Sequence, residues 1–307
     1  MHKKRVLITG GSGLLALNWA CAIRDDMHVT LAMHNHSVKL RGVSNCNLDL
    51  SNLLLLNDQI RTLKPDLIIH TAGLTNVDKC EKNPALAFHI NAEIASNISL
   101  ISFKNNIQFI HISTDHLFDH SDALYTEISE TKPVNVYAKS KLLAEELVFK
   151  MNPKSIIIRT NFFCWGYSQR QSFSDWIIYS LRAGKVLSMF DDVYITPIIA
   201  DSLAYLSHDL AELKVSGIFN VVGDEKISKF DFSVRLAKKF GLPLKNIERD
   251  SLSNSNLFAM RPHNMALDNS KASKILGKKI GSLDSFFLDL YSQKTHGRDQ
   301  ELYNAVY

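Results

Sequence analysis

The sequence predicts an α/β fold: a doubly wound parallel sheet with a smaller, partly helical carboxyl-terminal lobe. Short apolar runs recur along the chain with helix-like segments between them, and a glycine-rich turn directly follows the first run.

The runs are "RVLIT" (5–9), "HVTLAM" (28–33), "DLIIHTA" (66–72), "IQFIHIS" (107–113) and "SIIIRT" (155–160). Each is nearly continuous in apolar character, as expected of strands covered on both faces. The helix-like "LLALNWACAIRDD" follows the first run, "NPALAFHINAEIASNISLISFKN" precedes the run at 107, and "YAKSKLLAEELVFKM" precedes the run at 155. Such alternation builds βαβ units and a parallel sheet. Beyond about residue 160 the texture changes, with "FFCWGYSQRQSFSDWIIYSLRAGK", a strand-like "GIFNVVG" at 217–223 and a helical portion from "SKFDFSVRLAKKFG" onward. Insertions after the sixth strand would form a lobe over the carboxyl ends of the sheet, where ligands of such folds bind.

The 307 residues, 46% of them apolar, suffice for a packed core, and the formal charge of +4 is spread without a long basic run. Nucleic acid is not an expected partner. The start "MHKKRVLITGG" contains no apolar segment of signal-peptide or membrane-span length, so the expected protein is soluble and cytoplasmic. Cys21, Cys46, Cys80 and Cys164 are far apart and form no C-x-x-C pair, so reduced thiols are expected. His34, His36, His111 and His116 lack carboxylates or cysteines at ligand spacing; they read as loop or core residues, and no metal is expected.

In "TGGSGLLA", Gly10, Gly13 and Ala16 occupy the positions of G-x-x-G-x-x-G between a strand and an apolar helix. The two glycines let the turn close and the backbone approach a pyrophosphate at the helix amino terminus, while Ala16 keeps the helix tight on the strand. Residues 1–160 are therefore expected to form an NAD(P)-binding Rossmann domain. Residues 161–307 would be mainly a substrate-binding lobe, interleaved with late strands near 190–223. After the second strand, "MHNHSVKLRG" has no carboxylate to hold a ribose 2′-hydroxyl, and Lys39 or Arg41 could pair with a 2′-phosphate. NADPH or NADH is expected, with a lean toward NADPH. Asp49 in "NLDL" could accept from the adenine amino group, or "DLSNLLLL" could be a helix cap.

"FIHIS" ends in "TDHLFDH", placing the Ser113 and Thr114 hydroxyls at the carboxyl end of the sheet. In "VYAKSK", Lys141 lies one helical turn from Tyr137, whereas Lys139 faces away. A hydroxyl, a phenol and an ammonium can converge there. To act near neutral pH the phenol must fall about three units from its reference near 10, which is about 4 kcal/mol. One ammonium about 4 Å away supplies roughly that amount at an effective dielectric of about 20. Tyr137 would donate the proton, Thr114 would hydrogen-bond the substrate oxygen, and Lys141 would also reach the nicotinamide ribose.

These residues resemble an extended short-chain dehydrogenase/reductase of the branch containing dTDP-4-dehydrorhamnose reductase. The resemblance covers nearly the whole chain through "TGGSGLLA", "HTAGLTNVDKCEKNP", "ISTDHLFD", "VYAKSK", "RTNFFCWG", "DDVYITPIIADSLA", "GIFNVVG" and "RPHNMALDNSKASKILG". It implies that Thr114, Tyr137 and Lys141 are catalytic. It further implies that Gly13, Leu14, Leu15, Asp49, Leu50, Gly73, Leu74 and Thr75 line the cofactor and that Asp115 contacts the sugar. The implied reaction reduces the C4 ketone of a nucleotide-linked 4-keto-6-deoxy sugar, in a homodimer or a monomer. His116 stands where the rhamnose enzyme has a tyrosine facing the substrate, and His120 replaces a usual glycine, so sugar and nucleotide stay open. Two rivals are an epimerase or dehydratase of the same superfamily, and a non-catalytic subunit like the regulatory subunit of methionine adenosyltransferase. A dehydratase typically carries an Asp-Glu pair where Asp115 is followed by His116, and a pure binder need not keep all three catalytic groups.

Overall fold

The computed structural model describes residues 3–34, 36–50, 52–119 and 123–306. The six apolar runs, joined by a polar edge strand that was not among them, form a seven-stranded sheet from β1 (Arg5–Thr9), β2 (His28–Met33), β3 (Val43–Asn47), β4 (Leu67–His70), β5 (Gln108–Ile112), β6 (Ile156–Arg159) and β7 (Gly217–Asn220). The strands lie in the order β7-β6-β5-β4-β1-β2-β3, and every neighbouring pair is parallel. Alternate residues serve opposite faces: Val6 and Ile8 join one apolar cluster and Leu7 another. The strand order reverses between β1 and β4, and a crevice opens beyond the carboxyl ends at such a reversal. In register there, Thr9 lies opposite His70, and His70 opposite His111.

Helix α1 (Leu14–Ile23) is buried from Leu15 to Ile23 between the sheet and the helix Ala200–Glu212, where Trp19 Nε1 donates to His208 Nε2 at 3.1 Å. On the other face, α2 (Leu53–Leu63), a segment from Pro84 to Lys104 and the helix Val136–Met151 cover Leu7, Ile68, Phe109 and Ile157. Asn52, not Asp49, caps α2, accepting from Leu55 N–H at 3.1 Å. After α3 (Val77–Lys82), the single long helix expected over 83–105 is broken. It runs as α4 (Pro84–Phe88), a π-turn (His89–Glu93) and α5 (Ile94–Lys104). The wider turn points Asn91 inward, a common use of such insertions. Its Oδ1 accepts from Leu74 N–H at 2.7 Å, and its Nδ2 donates to Leu74 O at 3.1 Å and Ser140 Oγ at 2.9 Å.

Helix α6 (Val136–Met151) begins at Asn135, whose side chain accepts from Ala138 N–H at 2.8 Å and donates to Met260 O at 2.9 Å. Helices α7 (Phe173–Arg182), α8 (Ala200–Glu212), α9 (Lys229–Lys239), α10 (Ser270–Leu276), α11 (Leu283–Thr295) and α12 (Arg298–Tyr303) follow, with short strands between them such as Leu187–Phe190, which pairs with Ile247–Asp250 outside the main sheet. Phe163, Phe173, Phe232 and Phe287 pack ring against ring, linking α7, α9 and α11. Two ties bind late residues to early ones. Arg261 Nη2 donates to Asp78 Oδ1 on α3 at 2.9 Å, and Lys39 N–H donates to Ala305 O at 2.8 Å beside a Val38–Val306 bridge.

Candidate active site

A cleft of about 670 Å³ follows the crevice at the strand reversal. Gly10 starts it at φ +70°, and a Cβ there would lie 2.7 Å from Ala72 Cα, so this turn admits only glycine. The Gly10 carbonyl accepts from Gly13 N–H at 2.8 Å, and Gly13 begins α1 with no side-chain cap. The first-turn amides are thus left for a bound anion, and a bare glycine turn against them fits a dinucleotide pyrophosphate.

Gly10, Gly13, Leu14, Leu15, Asp49, Leu50, Gly73, Thr75, Tyr137 and Lys141 all line the cleft. Leu74 does not; its backbone is held by Asn91, and its side chain packs with Cys80, Ala87 and Tyr137. Lys39 and Arg41 also stand away from it, because the loop after β2 is zipped to residues near 305. His34 and His36, expected to be loop or core residues, are exposed in the loop after β2 and also line the cleft. His120 lies outside the described residues.

At the far end of the cleft, Tyr137 and Lys141 come from adjacent turns of α6, and both are buried. Lys141 Nζ donates to Ile112 O at 2.7 Å and approaches His111 Nε2 at 3.1 Å. Burial pulls this amine down to about 8, opposed by the Glu145 carboxylate. The expected lowering of the Tyr137 phenol is overturned: burial, with Asp115 and Cys80, pushes it up to about 12 against a hydrogen bond from Thr114. The ammonium is turned toward the strand, where its charge does not offset the desolvation of a phenolate.

Thr114, Asp115 and His116 follow β5 behind the phenol and do not line the cleft itself. Asp115 is 2% exposed, accepts from Asn161 Nδ2 at 2.5 Å, and is raised to about 7 by burial. The His116 ring meets Tyr137 edge-on at 5.5 Å and 85°. Lys229 and Arg261 are the charges felt at His116. Tyr137 therefore sits between the glycine-turn cleft and a buried polar cluster of Thr114, Asp115 and His116. Sequence reasoning missed Asn91, Asn161, Lys229 and Arg261 as parts of this site. The mid-helix polar "HINAE" was the available signal for Asn91; the others come together only through tertiary packing.

The glycine turn, the cleft at the strand reversal and the Tyr–Lys helix define a Rossmann-fold reductase of the short-chain class. The family described as the RmlD substrate binding domain matches residues 4–286, and the chain belongs to it. The "Probable low-salt glycan biosynthesis reductase Agl14" of Haloferax volcanii is 28% identical over 277 residues, spanning 88% of this chain and 91% of its own. A dTDP-4-dehydrorhamnose reductase of Aggregatibacter actinomycetemcomitans is 26% identical over 286 residues, spanning 89% and 93%. A solved structure described as a hypothetical dTDP-4-dehydrorhamnose reductase from Sulfolobus tokodaii is 33% identical with a TM-score of 0.79, covering 91% of this chain and 97% of that one. The methionine adenosyltransferase 2 subunit beta of Rattus norvegicus is also similar, 26% identical over 291 residues, spanning 87% of this chain and 81% of its own.

Proposed function

We propose that the protein reduces the C4 ketone of a nucleotide-linked 4-keto-6-deoxy sugar with NADPH or NADH. The observation that carries this reading is the position of Tyr137, which lines the glycine-turn cleft and is backed by the polar cluster of Thr114, Asp115 and His116. When bound, the nicotinamide supplies a hydride to the carbonyl carbon. Tyr137 Oη gives its proton to the developing alkoxide, so ketone, hydride and proton balance as an alcohol. Thr114 holds the carbonyl oxygen, Asp115 and His116 contact the sugar, and Lys141, which lines the cleft, reaches the nicotinamide ribose. Gly10, Gly13, Leu14, Leu15, Asp49, Leu50, Gly73 and Thr75 hold the dinucleotide, and Leu74 shapes its wall from behind.

The likeness to a methionine adenosyltransferase subunit makes a binding role the competing reading. The three groups a reductase needs are all present, which favours catalysis. The test follows NADPH and NADH oxidation with a panel of nucleotide-linked 4-keto-6-deoxy sugars. Tyr137→Phe should keep cofactor binding and lose about 10²- to 10⁴-fold in turnover. Tight cofactor binding with no oxidation across the panel would favour the binding role.

A further inference from the structure

Thr9, His70 and His111 form an in-register polar row across three adjacent strands, each preceded by a run of buried apolar residues. His70 Nδ1 meets Thr9 Oγ1 at 2.7 Å, and the two imidazoles stack at 5.5 Å and 22°. Both rings are fully buried, and His111 Nε2 lies 3.1 Å from Lys141 Nζ. An ammonium has donors only, so Nε2 must present its lone pair and the ring proton must sit on Nδ1. His111 Nδ1 and His70 Nε2 then face no hydrogen-bond partner among the described residues. Packing alone does not call for a histidine here, because an apolar side chain would fill the space without orphaning a polar atom. The lone pair offered to Lys141 is what an apolar residue could not provide.

We propose that His111 is a positioning residue of the reaction, its neutral imidazole holding the Lys141 ammonium beneath the cleft. This rests on the reductase reading above. The row explains why the ring stays neutral. A proton on His111 would face the Lys141 ammonium directly, with His70 stacked behind and, among the described residues, no carboxylate in hydrogen-bond contact with either ring. The other charged or titratable groups felt at this amine are Glu145, one turn on along α6 and itself bound by Arg159 of β6, and the buried His70 ring.

The experiment compares His111→Leu, which removes the acceptor, with His111→Gln, which offers an amide oxygen; His111→Met replaces the first should it not fold. The acceptor-free variant should lose about tenfold or more in kcat at unchanged sugar KM. The alkaline limb of its kcat profile should move to lower pH, because the ammonium has lost a stabilising partner. The Gln variant should recover both. Turnover within about twofold of wild type in the Leu variant, or equal losses in both variants with an unmoved limb, overturns the proposal. If the wild type turns over no sugar, the reductase reading fails separately. Competitive acetic anhydride labelling of Lys141 against pH then decides: a lower amine pKa only in the acceptor-free variant supports positioning, and identical profiles overturn it.

Discussion

Glu145 and Arg159 form an ion pair sealed beneath the site, with Arg159 Nη2 2.7 Å from Glu145 Oε2 and side chains only 4% and 3% exposed. Glu145 Oε1 also accepts from Ser113 Oγ at 2.5 Å, so one carboxylate ties α6 to both β5 and β6. Removing one member strands the other charge. Glu145→Ala is expected to destabilise the protein by about 3–5 kcal/mol in denaturant titration, whereas the paired change Glu145→Leu with Arg159→Met should cost much less. Equal losses would mean that the pair contributes through shape rather than charge.

The pH profile of turnover should report Lys141 rather than Tyr137. The phenol, pushed up to about 12, keeps its proton throughout the working range, whereas the amine is pulled down to about 8. A base with a lowered value is charged below it and loses its charge above it. Turnover should therefore decline as pH rises through about 8, and Lys141→Arg should move that decline upward. A profile flat to pH 10 would remove the requirement for the ammonium.

Acid should unfold the protein early. His70 and His116 are pulled down to about 3 by burial, and His111 is held well below its ordinary value. The unfolded chain binds these protons near pH 6.5 and the folded chain does not, so stability falls as pH drops below about 6.5, by up to about 1.4 kcal/mol per unit per ring. Tm measured from pH 7 to 4.5 should fall steeply, and His70→Asn should flatten the curve.

Asp115 acts with the opposite sign. Its folded value of about 7 exceeds the ordinary 3.8, so the folded state holds this proton more tightly and stability falls as pH rises from about 4 to 7. Asp115→Asn should raise Tm more at pH 8 than at pH 5. An equal shift at both values would mean that the carboxyl titrates normally.

Cofactor choice should respond to His34 and His36, which line the cleft where a carboxylate would repel a 2′-phosphate. His34→Asp and His36→Asp should each weaken NADPH relative to NADH, by about tenfold, in direct binding measurements. Lys39→Ala should change neither, since its loop is fastened to Ala305 away from the cleft.

Most of the sheet was legible because its inner strands are apolar on both faces, whereas the polar, largely exposed edge strand β3 gave no such signal; the glycine turn was legible because only one backbone geometry suits it. Tyr137 and Lys141 were legible as neighbours because helical spacing fixes which side chains share a face. Where the Lys141 amine points was not, since a flexible four-carbon stem chooses between the phenol and the acceptors on β5 by tertiary contact alone. The break at His89–Glu93 was hidden for a related reason: a π-turn adds one residue without changing composition, and its purpose lies in the loop that Asn91 holds. Lys39 and Arg41 looked suited to a phosphate on charge alone, but pairing with residues near 305 draws them off.

Strand β7 comes from residues 217–220 yet hydrogen-bonds to β6 at 156–159, so the edge of the first half's sheet is supplied by the second half. Residues 1–160 and 161–307 are consequently poor units for recombination. A crossover near residue 160 would leave "IIIR" as a bare apolar edge, open to pairing with other chains. New sugar specificities in such a scaffold are therefore expected to arise by substitution within an intact gene rather than by exchange of lobes, and a split-protein reporter cut there should aggregate instead of reassembling.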